Sequence, residues 1–154
     1  MPRPRMPGGR KVAAGAVALA LAVPSAAQAG LERDPVLDAV NDARARHGLK
    51  SLRSSNSLHR SASSFAGHLM RTQRFAHSNR IHASSRFRRL GETLAIRVGS
   101  RRWRPRAVVR AWLHSAGHRA LILSRNFRYA GAGYSRGRFG GRKAVIWVLH
   151  LGSR

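Results

Sequence analysis

Lys143-Ala144-Val145-Ile146-Trp147-Val148-Leu149-His150-Leu151 decides the architecture of this chain. In an extended strand Ala144, Ile146 and Val148 fall on one face, and Val145, Trp147, Leu149 and Leu151 on the other. A strand that is apolar on both faces has to be covered on both. Ala130 to Ser135 reads as a preceding strand, joined to it around the turn Arg136-Gly137-Arg138-Phe139-Gly140-Gly141. The layers that cover these strands must come from earlier in the sequence.

Helical signals are found there. Asp34-Pro35 supplies a capping side chain and a proline at the first helical position. Leu37, Val40, Ala43 and His47 follow at helical spacing, and Gly48 offers a left-handed stop. A second helix is expected from about Asn56 to Gln73, with Leu58, Ala62, Phe65, Ala66 and Leu69 along one face as core. Phe75 to Leu90 is polar and arginine-rich and reads as loop, with a helical turn near Arg86. Pro105 opens a third helix with Val108, Val109, Trp112 and Leu113 on its apolar face. Ser115 to Gly117 interrupts it before a shorter segment, His118 to Leu123. With helices early and strands late, the fold class is α+β: an α-β-α sandwich with a small antiparallel sheet between helical layers, completed by a short strand near Leu94 to Val98.

The N-terminus has a different character. Arg3, Arg5, Arg10 and Lys11 precede an apolar run from Val12 to Val23, then Pro24 and Ala27-Gln28-Ala29. This is the order of a secretory signal peptide over residues 1–29, cleaved after Ala29, and the run is shorter than the about 20 residues that span a bilayer. One domain, residues 30–154, is expected beyond it. The chain has no cysteine, so packing replaces disulfides and a cysteine-linked lipid anchor is excluded. The product is expected to be secreted, released or held on the cell wall by charge. No long apolar helix is left over, so a monomer is expected.

Charge narrows the partners. The sequence holds 30 Lys and Arg against 5 Asp and Glu, a formal net charge of +25. Such a field attracts polyanions irrespective of their sequence. Outside a cell these are anionic wall polymers, lipid headgroups or extracellular nucleic acid; a coding bias towards arginine is the competing explanation, since lysine occurs only at Lys11, Lys50 and Lys143. Trp103, flanked by Arg101, Arg102 and Arg104, could stack on bases or sugars, or simply anchor a loop.

Beyond Asp42 the only acidic side chain is Glu92, in Leu90-Gly91-Glu92-Thr93-Leu94-Ala95. Two histidine-bearing phrases accompany it, Phe75-Ala76-His77-Ser78 and Ser115-Ala116-Gly117-His118-Arg119. Imidazoles and a carboxylate from separate loops can hold a divalent cation such as zinc, giving His77, Glu92 and His118 as a weak metal set in a positive field. The same residues can form an acid/base group in which Glu92 orients a histidine. The structural alternative pairs Glu92 with Arg88 or Arg89 and leaves both histidines as ordinary loop residues. His114 and His118 are four apart, but Gly117 weakens the helix that would align them. No nucleophilic triad emerges, because no second acid follows Glu92. Gly131-Ala132-Gly133 has no helix after it and is not a dinucleotide loop.

Taken in order, these phrases resemble the bacterial branch of the CAP superfamily, the SCP-like domains related to cysteine-rich secretory proteins, antigen 5 and pathogenesis-related protein 1. The markers are VNDARARHGLKSL from Val40, Ala62 and Met70 in the second helix, FAHS from Phe75, GETLA from Gly91, AWLHSAGHRALIL from Ala111 and YAGAGY from Tyr129. They span about Val36 to Gly152. The resemblance implies an α-β-α sandwich with a cleft carrying two histidines and two acids, able in some members to bind zinc or another divalent ion. On this sequence His77 matches the first histidine, Glu92 the glutamate and His118 the second histidine; Ser115 stands where the second acid would fall, and Thr93 replaces the usual asparagine. It implies a non-enzymatic module with ligand-binding residues His77, Glu92, Ser115 and His118, taking a small ligand, a lipid or a weakly held metal. A hydrolase with His77 or His118 as base, and polyanion binding through the arginine surface, are the alternatives.

Overall fold

The computed structural model describes residues 34–154. The expected signal peptide lies outside them. Eight elements follow in order: α1 (Pro35–Arg46), β1 (Arg53–Ser54), α2 (Asn56–Thr72), β2 (Arg89–Val98), α3 (Pro105–Leu113), α4 (Ala116–Ile122), β3 (Tyr129–Phe139) and β4 (Arg142–Ser153). The sheet runs β1-β3-β4-β2, with the long strands antiparallel. β4 is therefore flanked by strands on both edges and covered on both faces, which accounts for its unbroken apolar sequence. On one face Val145, Trp147, Leu149 and Leu151 join Val36, Val40, Val108 and Trp112, the core beneath α1, α3 and α4. On the other, Ala144, Ile146 and Val148 meet Ala62, Ala66, Leu69 and Met70 of α2. This is the expected α-β-α sandwich.

Details differ from the sequence reading. β1 pairs parallel to β3 through Arg53 opposite Tyr129 and Ser54 opposite Ala130, so the sheet is mixed rather than wholly antiparallel. β2 begins at Arg89, not near Leu94, and carries Glu92 as a strand residue opposite His150. β3 runs on through Arg136 to Phe139, because alternating arginines tolerate an exposed face where β4 supplies the hydrogen bonds; the turn shrinks to Gly140 and Gly141, both at positive φ.

Asp34 caps α1 as expected: its Oδ1 accepts from the Val36 and Leu37 amides at 3.0 and 3.1 Å. Its Oδ2 accepts from Ala132 N at 3.0 Å and so ties the cap to β3. Arg44, 1% exposed, faces no carboxylate; it donates to the carbonyls of Lys50, Ile122 and Ser124 at 3.0, 2.6 and 2.9 Å and pins the end of α4 to α1. On the opposite face α2 lies against β3 backbone to backbone. A Cβ on Gly131 would stand 2.2 Å from His59 N, and one on Gly133 2.2 Å from Ser63 N.

That contact yields a paired prediction. Gly133→Ala forces the helix off the sheet and should cost about 2 kcal/mol or more, the scale of overpacking against a part that cannot move aside. Gly117→Ala in α4 meets nothing within 4 Å and should instead stabilise by up to about 1 kcal/mol through helix propensity. Urea denaturation of both variants checks it; equal midpoints would contradict the close α2–β3 approach.

Candidate functional site

The site forms at the β2 edge of the sheet, where the loop after α2 passes Glu92. Antiparallel pairing sets Glu92 on the α2 face directly opposite His150, and the Glu92 side chain is 6% exposed. His150 Nε2 lies 3.0 Å from Glu92 Oε2, and His77 Nδ1 lies 2.8 Å from Oε1. The Ser78 amide donates to the same Oε1 at 2.9 Å. Glu92 thus pairs with two histidines and one amide, not with Arg88 or Arg89.

Burial by itself raises the Glu92 pKa, but hydrogen bonds from His150, the Ser78 amide and His77 outweigh it and hold the carboxyl below its ordinary value. An ionised carboxylate only accepts, so the facing ring nitrogens carry the protons. The neutral form of His77 is thereby fixed as the Nδ1–H tautomer, with its lone pair on Nε2. The neutral form of His150 is likewise the Nε2–H tautomer, in which Nδ1 accepts from Ser61 Oγ, 3.1 Å away. Ser61, His150, Glu92 and His77 form one chain from a buried serine to an imidazole whose side chain is 61% exposed.

Of the residues singled out from sequence, His77 and Glu92 are joined directly. His118, on α4, brings its ring to 6.0 Å from that of His77, centroid to centroid. Burial first, and then repulsion from His77, lower the His118 pKa, which favours the neutral ring. Ser115 sits at the N-cap of α4 and makes no side-chain capping bond. His114 ends α3 and does not share a continuous helix with His118. Trp103 is partly buried against the core, the placement of a loop anchor. The reading missed His150 and Ser61; only the β2–β4 register, which places Glu92 opposite His150, could have pointed to them.

The donors present can be weighed against a divalent metal. Both Glu92 oxygens are engaged, and among the described residues no group of three or more His, Cys, Asp or Glu is arranged to hold an ion. Two imidazoles remain, which suit weak, exchangeable binding and not a closed site.

Residues 37–151 match the family model described as "CAP: Cysteine-rich secretory protein family". An outer surface protein of Borrelia burgdorferi shares the fold with a TM-score of 0.62 at 20% identity, over 77% of this chain and 90% of that one. An extracellular SCP-domain protein of Bacillus anthracis gives 0.59 at 20% identity, over 77% of this chain and 39% of that one. Venom allergen-like protein 4 of Schistosoma mansoni gives 0.58 at 12% identity, over 77% of this chain and 87% of that one. No curated protein matches the sequence.

Glu92→Gln places an amide group opposite one histidine and should cost about 2 kcal/mol at neutral pH, the scale of a hydrogen bond to a charged group. Because folding lowers the Glu92 pKa, this contribution is complete above the unfolded carboxylate value and is lost as pH falls through the folded one. Urea denaturation across pH should show wild type and variant converging only in the acid range. A gap that ignores pH would contradict an ionised Glu92. By NMR titration, His118 should protonate below the ordinary histidine value and move up in His77→Ala.

Proposed function

We propose a function from the premise that this chain belongs to the cysteine-rich secretory protein (CAP) family: it is a non-enzymatic, extracellular ligand-binding module. Its cleft binds through His77, with Glu92 as the group that fixes the ring. The observation that carries this reading is the engagement of both Glu92 oxygens, which accept from His77, Ser78 and His150. A carboxylate so occupied is better suited to orienting an imidazole than to acting as a free base. What it does is hold His77 in one tautomer, leaving Nε2 as an acceptor towards the cleft, beside the neutral ring of His118.

The hydrolase alternative shares the oriented imidazole but lacks an aligned nucleophile. Ser78 Oγ donates to the Arg80 carbonyl, and Ser61 Oγ faces the buried His150. A divalent ion, if bound, would be held weakly by His77 and His118 and would add a positive centre for an anionic ligand. The extracellular setting is supported by the leader-like residues 1–29 and by the outer-surface and extracellular relatives that share the fold. Among the described residues no helix is long and apolar enough to cross a membrane.

A second reading, polyanion binding by the arginine surface, is favoured by one observation. Among the described residues the only ion pair between arginine and carboxylate is Arg106 with Asp42 at 3.3 Å. The other surface arginines have no carboxylate partner among the described residues.

The cleft reading is tested by a fragment screen followed through the ring nitrogens of His77. A cleft ligand should shift the Nε2 resonance, and Glu92→Gln should weaken that ligand about tenfold, equivalent to ~1.4 kcal/mol. Zinc should bind weakly and lose its effect in both His77→Ala and His118→Ala. Hits that leave His77 unmoved, or that ignore Glu92→Gln, would sink this reading.

A further inference from the structure

A groove of about 940 Å³ runs between α2 and the segment 73–83 and reaches His77 and His150. Its two walls carry the same chemistry. Arg60 and Arg71 come from α2, and Arg74 and Arg80 from the facing segment. Phe65 lies between them, half-buried, its ring stacked against His68 at 6.0 Å and against His150 at 6.3 Å.

Among the described residues no acidic side chain lines this groove. Of the acids among the described residues, Asp34, Asp38 and Asp42 belong to α1 or its cap, across the sheet from α2, and the charge of Glu92 is spent on its histidines and an amide. None of the groove arginines is ion-paired among the described residues. The hydroxyls of Ser57 and Ser64 add donors to the lining, while that of Thr72 donates to the His68 carbonyl.

The outer wall is fastened in three places. At its start Gln73 adopts φ 56 and spends its amide on the hairpin, accepting from Gly140 N at 2.8 Å and donating to the Arg138 carbonyl at 2.8 Å. In the middle His77 and Ser78 hold Glu92. At the far end the Ser84 amide donates to Ser57 Oγ of α2 at 2.7 Å. The groove is therefore formed before any ligand arrives, which lowers the ordering cost of binding.

We infer that this groove is a binding site for a phosphate ester, gripped by arginines from both walls with its apolar or planar remainder over Phe65. Guanidinium groups suit this ligand because their forked donors match phosphate oxygens in pairs. Facing arginines without acids repel one another across the groove, and a bound dianion relieves that repulsion. The inference rests on the reading that this edge of the sheet binds ligands, and adds the ligand's chemical class. The shared chemistry, a phosphate ester, can come from a soluble molecule or from a lipid headgroup.

The test titrates the purified protein with inorganic pyrophosphate by calorimetry while recording the His77 ring nitrogens. In parallel it is sedimented with phosphatidylcholine vesicles carrying phosphatidic acid. Arg60→Gln and Arg74→Gln probe the two walls; Arg97→Gln and Arg101→Gln, exposed and outside the groove, are controls. Saturable pyrophosphate binding is expected, weakened about tenfold or more by each groove substitution, the scale of one hydrogen bond to a charged group, and less than about twofold by each control. The same pattern with vesicles assigns the ligand to a lipid headgroup, and pyrophosphate binding without vesicle binding assigns it to a soluble phosphate ester. Absence of groove-dependent binding in both arms overturns the inference, as does equal weakening by all four substitutions, which is the signature of diffuse charge. Pyrophosphate that shifts His77 but ignores Arg60 and Arg74 also overturns it, while leaving the His77 cleft standing. Groove-dependent binding with His77 unmoved would keep the phosphate site and remove His77 from it.

Discussion

The backbone contact between α2 and β3 is the constraint on which the functional edge of this molecule depends. Glycine at 131 and 133 lets the helix descend until His59 N and Ser63 N occupy the space that two side chains would need. A helix seated that low on β3 brings Ser61 within hydrogen-bond distance of His150 on β4, and Ala62 and Ala66 into the core without larger residues between. Raise α2 by the thickness of a methyl group and the Ser61 contact is lost, and with it one end of the chain that fixes His77. The groove follows from the same placement, because the helix face turned away from β3 becomes its inner wall.

Glu92 shows how an acid survives in the interior of a strongly basic protein. Desolvation disfavours the charged form, and no arginine is brought in to balance it. Two imidazoles and an amide do so instead, each aimed at a separate lone pair. The choice has a functional consequence. An arginine partner would have neutralised Glu92 as a structural ion pair, whereas a histidine partner transmits the orientation outward to a ring that solvent can reach.

Sequence periodicity was a sufficient guide to the layers. The two apolar faces of β4 demanded two covers, and the helices at Pro35, Asn56 and Pro105 supplied them within a residue or two of the expected starts. What escaped was non-local. β1 is two residues long and exists only because β3 lies beside it. β2 reaches back to Arg89 because Ser153 and Gly152 offer partners, a fact invisible in an arginine-rich stretch. His77 and Glu92 could be named from their local phrases, but His150 is embedded in an apolar strand and acquires meaning only through the register that faces it with Glu92. Gly131 and Gly133, correctly excluded as a dinucleotide loop, are packing glycines, a role that needs the helix above them to be seen.

Arg44 and Glu92 are complementary solutions to one shortage. Among the described residues acids occur only on α1, at its cap and in the site, and Arg44 takes three carbonyls instead of a carboxylate, two of them at the C-terminal end of α4, where the helix dipole is negative. A buried carboxylate, in turn, is given imidazoles. Neither interior charge draws on the arginines of the surface. Those on the α2 side consequently face solvent without internal counter-charges, and the segment 73–83, tied down at its start, middle and end, fixes some of them opposite others. Self-repulsion of that kind opposes folding only mildly, since salt screens exposed charges beyond about 8 Å. Inside a groove with a partly apolar floor the screening is weaker and the potential is focused. The acid shortage that dictates how the interior is satisfied thereby also sets the sign of what the exterior can bind.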